Sequence, residues 1–223
     1  MFKSLKVLGM AAVAAALMAA PASAATVIDF STGNADEGGS ITWDGTNYIG
    51  SNIPIGGMRV VGAPSGNGFY TVGGNAMDSS GDFWGSLDFN TNADSNFMSI
   101  SGCIPGMSIG TFDANGACTV PEVLLTGTIQ GYVPNAPQGL LSAFGEDAKN
   151  QELLAYVGLD ANTPFEFFGF SLATYNMRPG GTSTAISTDI RNTAVPEPAT
   201  MMLLGTGLLA AFRARRKQQQ QQL

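Results

Sequence analysis

Apolar residues are distributed along this chain in two ways. Near the ends they form uncharged runs, Val7 to Ala20 and Ala199 to Phe212. Between residues 25 and 194 they come in short stretches set between clusters of Gly, Ser, Asn, Asp and Pro. Alternation with period two marks a strand with one dry and one wet face, and regularly spaced turn clusters mark many short strands. The pattern predicts strands at Thr26–Phe30, Met58–Val61, Gly68–Val72, Trp84–Phe89, Phe97–Ser101, Ser108–Phe112, Glu122–Val133, Gly139–Phe144, Phe165–Thr174 and Ser183–Ile190. In Glu122–Val133 the residues Val123, Leu125, Ile129 and Val133 share one face, and Thr126, Thr128, Gln130 and Tyr132 share the other. Only Leu124 breaks that alternation. Phe165–Leu172 is apolar on both faces at its centre, which predicts a strand in the middle of the core. One helix is expected in DAKNQELLAYVG, capped by Asp147, burying Leu154 and Val157 and ending at Gly158, where it would cover one end of the fold. No internal repeat is present. The expected fold is mainly β: a single antiparallel β-sandwich, jelly-roll-like, over residues 25–194, with one short helix.

The apolar runs at the ends read as addresses. Lys3 and Lys6 precede the first, Pro21 breaks it, and Ala22-Ser23-Ala24 follows. That is the charged, apolar, A-x-A order of a secretory signal peptide, residues 1–24, and it implies signal peptidase and the export machinery as partners. The second run is followed at once by Arg213, Arg215, Arg216 and Lys217. Basic residues resist translocation, so this end stays on the cytoplasmic side while the body lies outside. Its fourteen residues would rise only about 21 Å as a helix, short of the roughly 30 Å hydrocarbon core. Such a segment suits a temporary hold better than a permanent anchor. The closing Gln218 to Leu223 is a polar low-complexity tail, expected to be disordered.

In front of the second run stands Val195-Pro196-Glu197-Pro198-Ala199-Thr200. Pro-Glu-Pro, then a short apolar helix containing glycines, then an Arg cluster, resembles the PEP-CTERM sorting signal of Gram-negative bacteria over residues 195–217. The resemblance implies recognition by an exosortase, a membrane enzyme resembling a cysteine transpeptidase. That enzyme would remove the tail and pass the body to the cell surface or an extracellular polysaccharide matrix of the biofilm kind. Pro196, Glu197 and Pro198 match the signature residue for residue. Physically, two prolines keep the segment extended and poor in hydrogen bonds, and the carboxylate between them gives an enzyme a group to read.

Charge and cysteines narrow what the body does. Outside the addresses only Arg59, Lys149, Arg178 and Arg191 are basic, against sixteen acids, so the body carries −12. A surface of that sign argues against nucleic acid or anionic lipid as a partner. Cys103 and Cys118 are the only cysteines, and in an exported chain an even pair reads as a disulfide, worth about 3 kcal/mol in the chain-entropy model.

The chain has no histidine, which removes Ser-His-Asp triads, Cys-His pairs and the usual zinc sets. Lys149 is the body's only lysine and falls in the expected helix. No P-loop or strand–G-x-G-x-x-G–helix fingerprint is present. Carboxylate chemistry remains, and a glycosidase would need two acids roughly 5 to 10 Å apart across a cleft. Two binding features are weaker. Asn90, Asn92 and Asp94 alternate oxygen-bearing side chains of the kind calcium takes, although Asn and Asp favour turns for backbone reasons of their own. In Phe83–Phe89 the alternation places Phe83, Leu87 and Phe89 on one face and Trp84, Ser86 and Asp88 on the other. Trp84 with Asp88 is a candidate sugar platform, a ring face for stacking and an acceptor for hydroxyls, set against the usual burial of large aromatics. The sequence therefore reads as an exported, surface-sorted β protein with a structural or binding role, processed by exosortase and associated with extracellular polysaccharide. A secreted carboxylate-dependent glycan hydrolase and a calcium-stabilised adhesin-like domain are the alternatives.

Overall fold

The computed structural model describes residues 25–135, 139–175, 177–194 and Gly207, with 166–168 described in backbone only. Its strands are β1 (Val27–Ser31), β2 (Gly38–Trp43), β3 (Tyr48–Ile55), β4 (Gly57–Val61), β5 (Gly68–Thr71), β6 (Ala76–Met77), β7 (Phe83–Asn90), β8 (Phe97–Gly102), β9 (Thr111–Phe112), β10 (Cys118–Val120), β11 (Glu122–Asn135), β12 (Leu140–Lys149), β13 (Phe165–Thr174) and β14 (Gly181–Ala194). One helix, α1 (Gln151–Tyr156), lies between β12 and β13. Residues 25–194 form one compact unit.

The strand order settles the architecture. Antiparallel neighbours run β13-β12-β11-β8-β7-β3-β2-β14, and β14 pairs in turn with β13. The eight strands therefore close into a ring. On the edge opposite β13, the first half of β14 pairs with β2 and its second half with β1. β4 and β5 continue outward from β1. β1 and β2 behave as one long strand interrupted once, laid against β3 and β4, which are interrupted only by Gly56.

This corrects the expected sandwich. A sandwich keeps two separate sheets, whereas here one hydrogen-bonded sheet runs all the way round, and the jelly-roll order of strands is absent. The alternation that suggested a sandwich is real, because a small barrel also needs one dry and one wet face on every strand. Eight strands enclose a space that side chains just fill. Phe89 of β7 and Phe170 of β13 stand on opposite sides of the ring, and their ring centroids meet edge to face at 5.2 Å. Phe30, Ile41, Ile53, Ile55, Leu87 and Ile100 fill the space around them. The lumen is a packed core.

Two local surprises come from bulges. β11 shifts register against β8 between Val123 and Leu125, and against β12 between Ile129 and Gly131. The first shift turns both Leu124 and Leu125 inward and leaves Val123 in solvent, so Leu124 is no defect, and the second turns Val133 out of the core. β13 carries a similar shift between Phe168 and Ser171, where Gly169 takes φ 72°, the left-handed region open to glycine. The shift lets Phe165 and Phe170 both point inward despite an odd spacing. β2 and β3 are absent from the sequence-based strand set because Gly, Asn and Asp dilute their apolar pattern. Their turn is held by Asp44, whose Oδ1 accepts from the backbone N–H of Thr46 at 2.8 Å and of Asn47 at 2.6 Å. Of the strand expected at Ser108–Phe112 only Thr111–Phe112 forms; Ser108 closes the tight turn Pro105–Met107 and Ile109 makes an isolated bridge to Ile104.

The two ends of the ring differ. One carries the hairpin turns, with Trp43 stacked on Tyr48 and the Tyr132 hydroxyl donating to the Thr46 carbonyl at 2.8 Å. The other carries α1, the β9–β10 insertion, and both ends of the body. Helix α1 is capped by Asn150, whose Oδ1 accepts from Glu152 N and Leu153 N. Asp147, the expected cap, lies within β12. Gly158 ends the helix as expected, at φ 77°. Cys103 and Cys118 form the expected disulfide, tying the β9–β10 hairpin to the end of β8.

Phe170→Ala empties the middle of the lumen and should lower unfolding free energy in urea by about 3–5 kcal/mol. Phe144→Ala, on a half-exposed ring outside the barrel, should stay within about 0.5 kcal/mol. Equal effects would mean the interior is not packed as described.

Candidate functional site

The sorting residues Pro196, Glu197 and Pro198, and the basic Arg213, Arg215, Arg216 and Lys217, lie outside the described residues, as do the signal peptide and, Gly207 apart, the apolar run Ala199–Phe212. Among the described residues no helix is long and apolar enough to cross a membrane. The structure does describe where the motif attaches. β14 is paired on both edges to its end: Thr193 faces Val27 on one side and Glu166 on the other, and Ala194 faces Phe165. The N–H of Ala194 donates to the carbonyl of Thr26 at 2.8 Å. The first and last residues of the body are therefore neighbours, and Pro196 and Pro198, which lack an N–H, follow directly on this ladder.

A buried polar group lies beneath this end. Asp147 faces Phe165, and Phe165 faces Ala194, so the three form one row across β12, β13 and β14. The side chains of Asp147 and Lys149 are wholly buried, with Lys149 Nζ 2.5 Å from Asp147 Oδ1. The ammonium also sits 4.5 Å from the centroid of the Phe165 ring. Burial outweighs the pairing for both partners: Lys149 falls to about 8 and Asp147 rises above the usual carboxylate range. The body's only lysine, expected on a helix, is thus an interior residue of a strand. Asn192, fully buried on β14, donates to the Ile190 carbonyl at 3.0 Å, while among the described residues neither its Oδ1 nor Asp147 Oδ2 has a hydrogen-bond partner.

A second charged group lies on the outer face. Asp29 faces Arg191 on β14 and Arg59 on β4, with Asp189 diagonally across. Desolvation first, then a hydrogen bond with Asp189 and the repulsion of its charge, raise Asp29 to about 7 against the pull of Arg191 and Arg59. Burial and Asp189 thus hold this outer-face carboxyl far above the usual range, and no composition signal pointed to it. Its legibility needed the pairing of the first strand with the last. The depression beside it is open, lined by Arg59, Val61, Asn67 and Phe69, and the Asn67 amide is already engaged with Ala63 N and O.

The candidate sugar platform is not assembled as a free surface. Phe83, expected to be buried, is 61% exposed, and Trp84 is half-buried. The Trp84 indole N–H donates to Asp78 Oδ2 at 2.7 Å. Asp88 accepts from Asn52 N at 3.0 Å and from the Ser86 hydroxyl at 2.7 Å, so both oxygens serve the fold. Asp78 is the residue that sequence reasoning missed. It collects Trp84, Asp36 N, Ser80 and Asp82 N, and those donors pull it far below the usual carboxylate range. The signal available was the turn signature Asp78-Ser79-Ser80-Gly81-Asp82. In the candidate calcium loop, Asn90 Oδ1 accepts from Asn92 N at 2.8 Å and Asn92 Oδ1 from Asp94 N at 3.1 Å. These are the backbone turns that Asn and Asp favour.

Against this geometry, a family model described as the PEP-CTERM protein-sorting motif matches residues 194–217. The match begins at Ala194, the last residue of the β14 ladder. The chain carries this sorting motif, which implies export, surface targeting in a Gram-negative bacterium and processing by an exosortase. No curated protein and no solved structure matches the chain.

The Asp29 shift has a defined pH signature. An unfolded aspartate loses its proton near 4, whereas folded Asp29 keeps it to about 7, so the folded chain binds more protons across that window. Its contribution to stability is present below about pH 4 and is lost as pH rises towards 7. Asp29→Asn should flatten this decline in urea midpoints and leave the variant the more stable form at pH 8. An undiminished decline in the variant would assign the slope elsewhere.

Proposed function

We propose that this chain is an exported protein whose C-terminal tail is removed by an exosortase, and whose barrel then serves a structural or binding role at the cell surface or in an extracellular polysaccharide matrix. One observation carries the reading: the sorting motif follows the last strand of a closed domain without a spacer domain or long linker. The tail cut passes the acyl group of the scissile bond to an incoming nucleophile, water or a surface acceptor, and frees the tail with an amino end. The short apolar run holds the chain at the inner membrane until then. The disulfide supports export, since such bonds persist in oxidising compartments.

A non-catalytic role is supported by how the polar groups are used. The lumen is filled, and the carboxylates singled out above hold turns and neighbouring strands (Asp44, Asp78, Asp88), pair with the buried Lys149 (Asp147) or belong to the outer-face cluster (Asp29, Asp189). Asp29 and Asp189 are diagonal neighbours on one outer face of the sheet, whereas a glycosidase pair faces across a cleft. Association with polysaccharide rests on the resemblance of the sorting signal alone.

Intact-mass measurement of the exported protein tests both ends together. The expected product lacks residues 1–24 and ends at or near the Pro-Glu-Pro motif. Glu197→Ala and Pro198→Ala should leave the tail attached and the protein in the membrane fraction. Mature product that retains Gln218–Gln222, or normal processing of both variants, would overturn the reading.

A further inference from the structure

An enzyme that cuts or transfers a peptide grips its substrate as an extended segment, commonly by pairing with the free edge of the substrate backbone. Upstream of the motif this chain offers no free edge. β14 is flanked by β1 on one side and β13 on the other through Thr193, and Ala194 is still bonded to Thr26. Only Val195 separates Ala194 from Pro196. An exosortase bound around the motif therefore competes with the barrel for the same residues.

This end of the barrel holds buried polar groups that its middle does not. Around Ile190, Phe170 and Phe89 the interior is apolar and fully buried. Two residues further along, Asn192 is fully buried, and among the described residues its Oδ1 and the Oδ2 of Asp147, in the row of Ala194, are unmatched. Buried acceptors without partners penalise the closed form and gain hydrogen bonds from water on opening. The Lys149–Asp147 pair beside Phe165 adds a desolvation cost of the same kind. Opening this end relieves strain that the middle of the barrel does not carry.

We propose that the last rungs of β14, Asn192 to Ala194, must peel from β1 and β13 before the sorting enzyme takes the motif, so that the body's own fold sets the rate of tail removal. This rests on the reading that an exosortase removes the tail. The peeling leaves β14 paired from Gly181 to Arg191 and the ring closed.

The test is pulse-chase measurement of tail removal in cells that contain the exosortase, with full-length chains. Inserting a flexible Gly-Ser spacer of roughly six residues between Ala194 and Val195 supplies an extended segment without any peeling. A second variant, Val27→Cys with Thr193→Cys, locks the end. Because the Ala194 N–H donates to the Thr26 carbonyl directly opposite it, Val27 and Thr193 form the close, non-hydrogen-bonded pair, the spacing that a cross-strand disulfide accepts. The spacer is expected to speed removal about tenfold, equivalent to about 1.4 kcal/mol of opening cost. The lock should slow it by at least as much, and the spacer placed in the locked chain should restore it. An unchanged rate in the spacer variant overturns the proposal. Glu197→Ala separates the two levels: a native tail that is cut no faster than the tail of Glu197→Ala removes the exosortase reading and this proposal with it. A native tail cut only with Glu197 present, at a rate indifferent to spacer and lock, removes this proposal alone.

Discussion

β14 is hydrogen-bonded along both edges, and the fold depends on that double pairing. One edge meets β13; the other is divided between β2 and β1. Without it the sheet would be an open ribbon with long unpaired edges, the form most prone to pairing with other chains. With it, eight strands enclose a core in which side chains from opposite walls touch. The constraint is long-range as well as tight, because a strand near the end of the body must find strands near its start. Pairings of this kind are slow to form, since the intervening chain must be ordered before they contribute. The barrel cannot close until its final strand has emerged, and that strand is the one that carries the sorting motif.

Much of the β character was legible in the sequence. The alternation in Phe97–Ser101 and Ser183–Ile190, the turn clusters, the helix stop at Gly158 and the disulfide all have local causes that can be read from neighbouring residues. What was not legible depends on bulges and closure. Leu124 looked like a defect in β11 because a one-residue shift reverses the faces of a strand. Val133 looked buried for the same reason. The β2–β3 hairpin was hidden by Gly, Asn and Asp, whose presence there reflects Asp44 binding its own turn. A period-two pattern cannot tell a ring from a sandwich, because both ask the same alternation of every strand. The candidate sites divide in the same way. The sorting motif is a contiguous string and was readable. The roles of Asp78, Asp29 and Lys149 were not, since each is set by partners brought close by the sheet.

The buried polar residues are distributed unevenly, and their position relates stability to processing. Lys149, Asp147 and Asn192 gather at the end where the chain leaves the barrel, while the middle is held by aromatic and aliphatic packing. Replacing a buried ion pair by apolar residues often leaves stability equal or better, so the pair is poorly explained as a source of strength. A domain with a firm waist and a yielding exit can tolerate a membrane enzyme working at its margin without unfolding as a whole. The disulfide at the same end ties β8 to the β9–β10 insertion and leaves β14 free of covalent restraint.

The hydrogen bond between Ala194 and Thr26 also makes the body a natural cassette. Its entry and exit points lie side by side, the arrangement that tolerates circular permutation and insertion into a host loop. A short linker can join the two ends, new termini can be opened at a hairpin such as Asp44–Asn47, and the barrel can be carried on another scaffold without crossing its own core.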